Sequence, residues 1–219
     1  MGIPPTSKED DGRDRYTVPA IHDPSTGARI ADSLLIAEYL EKAYPDSPKV
    51  FPNNTLPLQL AFVDAFMGQT IHLWNFIIPS SCLKLNPRSE EYYRRKGEKW
   101  YGKTVEEIAP KGEAAVAEWF KVKDGFGNLD AWYAKNGGKG PFLLGETASW
   151  GDIVVASHLI WVRIVSRAEN QQWKDISSWN SGRWGGIAEA LKDYEIVVWV
   201  NEERMRGEEI LRKVTEVFP

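Results

Sequence analysis

The rhythm of apolar positions along this 219-residue chain changes near position 50. Before it, short extended pieces alternate with turn formers. Tyr16-Thr17-Val18 and Ala20-Ile21-His22 are β-type segments split by Pro19, and Asp23-Pro24-Ser25-Thr26-Gly27 is a strong turn signal ahead of Ala28-Arg29-Ile30. A small hairpin is predicted. The first 15 residues, polar with Pro4-Pro5 and the acidic run Glu9-Asp10-Asp11, read as loop or frayed helix end. From Ser33 to Tyr44 the residues Ile36, Leu40 and Ala43 recur at helical spacing beside Leu35 and Tyr39, so a helix follows the hairpin.

Between Pro45 and Pro57 come four prolines and two adjacent asparagines, a composition that cannot continue a helix and predicts an extended linker. The domain boundary is placed there, giving residues 1–50 and 51–219. Beyond it the pattern is almost wholly helical: Leu58 to Leu73, Ser89 to Ala109, Lys111 to Lys123, Ser149 to Arg167, Ile187 to Tyr194, and Glu202 to Val217. Gly125, Gly127, Gly137, Gly138 and Gly140 read as a loop-rich stretch before Phe142-Leu143-Leu144.

Composition narrows the class. With 42% hydrophobic and 26% charged residues the chain is in the ordinary globular range. A formal net charge of −4 supplies no cationic field for phosphate backbones, so nucleic acid is not an expected partner. One cysteine, Cys82, excludes an intramolecular disulfide and a cysteine-rich zinc site, and with no apolar leader the expectation is a reducing cytoplasm. The greasiest run, Ile153 to Val165, is interrupted by Ser157, His158 and Arg163 and is too short for roughly 30 Å of hydrocarbon, so no membrane span is expected.

Two places carry candidate chemistry. Pro19 stands between extended segments where it removes a ladder donor, which a cis bond would accommodate; taken alone, the base rate favours a trans proline at a strand edge, since cis bonds are about 5% of X-Pro bonds. Asp32-Ser33 stand in the cap position of the following helix, where free backbone donors and the positive dipole end favour an anion, although a plain helix cap explains them too.

Together these features are more specific. Val18-Pro19-Ala20-Ile21, then a hairpin, then acid-Ser-x-x-Ile-x-x-Tyr-Leu from Asp32 to Leu40 resembles the glutathione-binding half of glutathione transferases, and the all-α remainder agrees. The resemblance implies that Val18, before a cis Pro19, offers its backbone to the cysteinyl part of glutathione. Asp32 would take the γ-glutamyl ammonium, and Ser33 with the helix N-terminus the α-carboxylate. Ser149-Trp150-Gly151-Asp152 has capping-box spacing with Asp in place of Glu or Gln, and looks like the family's structural signature in a buried helix. The segments 19–27, 61–66 and Gly151 to Trp161 look most like fungal transferases related to bacterial lignin β-etherases, the Fua class.

The resemblance implies a mostly helical α+β chain: a truncated thioredoxin-like domain of hairpin plus helix, then an all-α domain with a hydrophobic substrate pocket. The family opens with a strand-helix-strand unit, which needs roughly 30 or more residues. Only 15 residues precede Tyr16, so the expectation is a chain without that unit and without the serine that would hydrogen-bond the glutathione thiolate. No catalytic residue is named: Ser7 is too close to Tyr16, Ser33 matches the γ-glutamyl site, and Ser149 the structural cap.

Of the chain's aromatic residues, Phe66, Trp74 and Trp161 are the candidates for the acceptor pocket, against a core role for each. Cys82, after a break read at Ile78-Pro79-Ser80-Ser81, is expected to be an inert thiol, and His22, His72 and His158 show no metal-ligand spacing. Arg94-Arg95-Lys96 read as a solvated helix face. The expected function is a homodimeric glutathione transferase conjugating glutathione, its co-substrate, to hydrophobic or aromatic electrophiles, with etherase-like or peroxidase activity as variants. The rivals are a non-catalytic ligandin for aromatic small molecules and an interaction module without a ligand.

Overall fold

The computed structural model describes residues 2–166 and 170–195. It contains β1 (Ser7–Lys8), β2 (Asp14–Arg15), β3 (Ala20–His22), β4 (Arg29–Ala31) and α1 (Ser33–Ala43), followed by α2 (Leu56–Gln69), α3 (Trp74–Cys82), α4 (Pro87–Tyr101), α5 (Val105–Ile108), α6 (Gly112–Tyr133), α7 (Trp150–Ser166) and α8 (Gln171–Ala190). Two antiparallel hairpins and one helix thus precede an all-helical remainder. β3 and β4 pair Ala20 with Ala31, Ile21 with Ile30 and His22 with Arg29. The expected strand at Tyr16-Thr17-Val18 does not form, and β3 begins only after Pro19, whose nitrogen has no hydrogen to give a ladder. The stretch read as loop, residues 1–15, contains the β1–β2 hairpin.

Asp23 stitches the β3–β4 hairpin to α1. Its buried carboxylate accepts hydrogen bonds from the Tyr39 hydroxyl at 2.5 Å, the Tyr44 hydroxyl at 2.6 Å and the Ser25 amide at 2.9 Å. The Tyr39 hydroxyl, followed by that of Tyr44, holds the Asp23 carboxyl well below the usual carboxylate range. A depressed folded-state pKa means the contribution to stability is complete above the unfolded value of about 3.9 and is lost as pH falls through the folded one. Asp23→Asn should therefore melt below the parent chain at neutral pH, and that gap should narrow in melts taken progressively below pH ~4.

The helical pattern holds with four corrections. The predicted helix Ser89 to Ala109 is two: α4 stops at Gly102, which takes a left-handed φ of 64° and returns its amide to the Glu98 carbonyl, and α5 restarts after Thr104. The helix expected to end at Lys123 runs through Tyr133, so Gly125 and Gly127 are helical rather than loop. A Cβ on Gly125 would stand 2.0 Å from the Gln69 carbonyl oxygen, so glycine is what lets α2 and α6 approach. The apparent break at Pro79 lies inside α3, which keeps its helix because Leu73, Ile77 and Cys82 are buried around it. Only the end of the last described helix was foreseen: α8 begins at Gln171, with a break at Trp179–Gly182 where Asn180, Ser181 and Gly182 have positive φ. The expected helix Glu202 to Val217 lies outside the described residues.

The core is built where α2, α3, α6, α7 and α8 meet. Phe66, Phe126, Leu129, Tyr133, Leu159 and Trp184 are among its fully buried side chains. At the head of α7 the carboxylate of Asp152, itself fully buried, takes hydrogen bonds from four donors: the Tyr133 hydroxyl (2.9 Å), the Leu143 amide (3.0 Å), and the Ser149 amide and hydroxyl (2.9 and 2.7 Å). Gln59 on α2 joins them, accepting from the Gly151 amide at 2.8 Å.

This junction also anchors the N-terminal part. The Trp150 amide donates to the Val50 carbonyl at 2.8 Å, and the Phe51 and Trp150 rings lie 5.7 Å apart. The Glu41 carboxylate of α1 accepts from the Val50 and Phe51 amides at 2.5 and 2.7 Å. A second attachment joins the β1–β2 turn to α4, through Lys96 to Glu9 and Lys99 to Asp10. Among the described residues no helix is long and apolar enough to cross a membrane, and no three metal-ligating side chains gather.

Candidate functional site

The backbone around residues 18–36 forms a small clamp. The Val18–Pro19 peptide bond is cis. Val18 is 89% exposed, and among the described residues nothing pairs with its backbone N–H or C=O. The Pro19 carbonyl instead accepts the Asp32 amide at 3.2 Å, tying this corner to the first turn of α1. Asp32 has φ 86° and ψ 126°, a conformation that non-glycine residues rarely hold and that marks an over-determined, often functional position.

The Asp32 side chain caps α1, its Oδ1 accepting from the Leu34 amide at 2.9 Å and the Leu35 amide at 3.3 Å. Its carbonyl takes the Ile36 amide at 2.9 Å. Among the described residues the Ser33 amide, the Ser33 hydroxyl and Asp32 Oδ2 have no partner, and both residues are exposed. The helix inside the cap has no acidic residue in its first turn. Such an end attracts a carboxylate to the Ser33 donors, while the second oxygen of Asp32 is available to a cation beside it. An exposed, unpaired backbone at Val18 beside the open donors of Ser33 and the free oxygen of Asp32 suits a short peptide-like molecule bearing a free amino-acid end.

A separate apolar cavity of about 420 Å³ opens between the α2–α3 corner and α4. One wall is Met67, Ile71, Trp74 and Ile78; the other is Tyr93, Lys96, Trp100 and Tyr101. Burial pushes the Tyr93 and Tyr101 phenols up, so both stay neutral at physiological pH. Lys96 reaches the cavity with its alkyl stem while its ammonium is paired with Glu9 of the β1–β2 turn.

The three aromatic candidates separate. Trp74 lines this cavity. Phe66 does not: at 0% exposure, stacked on Phe62 and edge-on to His158, it is a core ring and, contrary to expectation, no part of a pocket wall. Trp161 stands behind Trp74, with ring centroids 5.3 Å apart, and donates its indole N–H to Ser81 Oγ at 2.8 Å, so it backs the wall and is no part of its surface. Cys82 is buried, and desolvation raises its thiol pKa, as an unreactive thiol requires. His158 bonds its Nδ1 to the Val154 carbonyl at 2.8 Å, and burial lowers its pKa.

The α4 wall is hidden in the sequence by the charged run Arg94-Arg95-Lys96 that lies within it. Tyr93, Gly97, Trp100 and Tyr101 follow the i, i+4, i+7, i+8 spacing of one helix face, and that spacing was the available signal.

A model of the glutathione S-transferase C-terminal domain matches residues 57–194. A glutathione S-transferase-like protein, ustS, of Aspergillus flavus is 28% identical over 201 residues, covering 85% of this chain and 69% of that protein. Among solved structures, the glutathione S-transferase CsGST63524 of Ceriporiopsis subvermispora, crystallised in complex with glutathione, is similar with a TM-score of 0.84 and 38% identity, over 91% of this chain and 79% of that one. The glutathione transferase GSTFuA3 from Phanerochaete chrysosporium superposes with a TM-score of 0.82 at 36% identity, over 90% of this chain and 78% of the other.

Proposed function

Since the chain belongs to the glutathione S-transferase family, we propose that it binds glutathione in the Val18–Ser33 clamp and offers the thiol to a hydrophobic, aromatic acceptor in the cavity beside α4. The γ-glutamyl α-carboxylate lies on the Ser33 amide and hydroxyl at the head of α1. Its ammonium meets the free oxygen of Asp32, and the cysteinyl backbone pairs with Val18 in the manner of an added strand, with Pro19 setting the corner. The observation that carries this reading is the Asp32 amide to Pro19 carbonyl bond, which holds an unpaired backbone edge against an open helix N-terminus.

The reaction is attack of the glutathione sulfur on an electrophilic carbon of the acceptor, the sulfur losing its proton and the acceptor's leaving group departing with the bonding pair. An aryl ether is attacked at carbon in the same way, its aryloxide leaving with the bonding pair; with a hydroperoxide the sulfur instead attacks oxygen, the O–O bond breaks to release the alcohol, and a second glutathione converts the resulting sulfenic acid to the disulfide and water. The group that lowers the thiol's pKa is assigned to none of the described residues. The Fua subclass, a division into residues 1–50 and 51–219, a homodimer and a cytoplasmic location complete the proposal.

Titration calorimetry against two tripeptide-related ligands tests the clamp. Glutathione should bind saturably and cysteinylglycine, which lacks the γ-glutamyl group, at least tenfold more weakly. Equal affinity for the two, or no binding of glutathione, overturns the reading. The aromatic walls of the cavity also favour a second reading, a carrier of aromatic compounds with little turnover. Quenching of tryptophan fluorescence by aromatic phenols with no conjugation to glutathione would select it.

A further inference from the structure

The two halves of the clamp ride on different elements. Val18 and Pro19 lead directly into β3, whereas Asp32 and Ser33 open α1. The Asp32 amide to Pro19 carbonyl bond joins them at one end, and a helix held at one point can still swing. Packing restrains that swing weakly, because among the described residues Ile36 is the one buried side chain of α1, with Leu35 and Leu40 exposed. Glu41 fastens α1 to the Val50 and Phe51 amides, outside the hairpin. Asp23 stands at the other end of β3, next after His22, and its carboxylate reaches the far end of α1. Its Oδ2 accepts from the Tyr39 hydroxyl at 2.5 Å and from that of the C-cap residue Tyr44 at 2.6 Å. Its Oδ1 takes the Ser25 amide, so the same group also closes the hairpin turn. A helix rises about 1.5 Å per residue, which puts this attachment roughly 16 Å from Ser33 and makes it a long lever on the direction in which the Ser33 donors point.

We propose that Asp23 is a positioning residue for glutathione: acting through Tyr39 and Tyr44, it locks α1 at the angle to β3 that places Asp32 and Ser33 within reach of a γ-glutamyl end whose cysteinyl part lies on Val18. The proposal rests on the clamp reading and deepens it by naming what sets the spacing of the two subsites. The Asp23 carboxylate keeps both phenols protonated as donors while they keep it ionised, so the tether holds across the neutral range. A ligand that touches only the Val18 half should be indifferent to the tether. One that spans both halves should not, since its charged ends need aligned partners at a fixed separation.

The test titrates the full chain with glutathione and with cysteinylglycine, at a temperature where circular dichroism finds every variant folded. The double variant Tyr39→Phe/Tyr44→Phe keeps both rings and the hairpin turn and removes only the hydroxyls; Asp23→Ala cuts the tether from the other side. In each, glutathione affinity should fall about 3- to 10-fold, less than for removal of the Asp32 charge, while cysteinylglycine stays within about twofold. Adding Asp23→Ala to the tyrosine pair should cost little more, because a single tether is already cut. Equal losses for both ligands mark a purely structural role and overturn the proposal, as do an unchanged glutathione affinity or losses that add in the combined chain. Should Asp23→Ala fail to fold, the tyrosine pair decides on the first two of these results. A parent chain that does not prefer glutathione to cysteinylglycine defeats the clamp reading and this proposal with it. A parent that has the preference, with variants that keep it in full, defeats this proposal alone.

Discussion

Asp152→Ala should lower the melting temperature by roughly 6–12 °C, the largest structural effect expected of any single polar substitution in this chain. The Asp152 carboxylate is fully buried and answers four donors: the hydroxyl of Tyr133, the amide of Leu143, and the amide and hydroxyl of Ser149. Truncation strands donors that water cannot reach, and each buried unsatisfied group costs about 1–3 kcal/mol. Even with partial relaxation, about 3 kcal/mol is lost, and for a chain of this size 1 kcal/mol moves the transition by about 2–4 °C. The same carboxylate fixes the head of α7, against which Val50 and Phe51 dock, so the N-terminal hairpin should loosen as well. Asp152→Asn should fall between the two, because one amide oxygen still accepts while its NH2 faces donors. A thermal melt checks both; an Asp152→Ala chain that melts within 2 °C of the parent would remove this network from the account.

Asp32→Asn should weaken glutathione binding by about one to two orders of magnitude while leaving the fold intact. Asparagine caps helices about as well as aspartate and tolerates positive φ, so the bonds to Leu34 and Leu35 and the φ of 86° are retained. What disappears is the negative charge opposite the γ-glutamyl ammonium, and a hydrogen bond to a charged group is worth about 1.5–3 kcal/mol. Ser33→Ala removes one hydroxyl donor and leaves the amide, so its loss should be smaller, around fivefold. Calorimetric titration gives both numbers, and a circular dichroism melt confirms that neither variant is misfolded. If Asp32→Asn binds glutathione as the parent does, the ammonium lies elsewhere.

The local backbone geometry around Val18 and Asp32 was legible because it is written in adjacent residues. A proline without a donor after Val18, a turn at Asp23–Gly27, and a short acid-serine pair before an apolar helix each constrain the backbone within a few positions. Ser149 and Asp152 were legible for the same reason. What the sequence hid depends on distant partners. Gly125 reads as a loop residue until the Gln69 carbonyl is seen resting where its Cβ would be. Pro79 reads as a break until burial of the surrounding side chains is seen to hold α3 together. Phe66 and Trp74 are apolar residues eight positions apart, and nothing local says that one is sealed in the core while the other faces a cavity. Tyr93 and Tyr101 were masked by the basic run between them.

The most direct measurement is an amide-resolved NMR titration of the chain with glutathione. The account predicts saturable shifts concentrated at Val18, Asp32, Ser33 and Leu34, with the distant amides of α8 unmoved. Shifts absent from those four positions while glutathione binds elsewhere would contradict it.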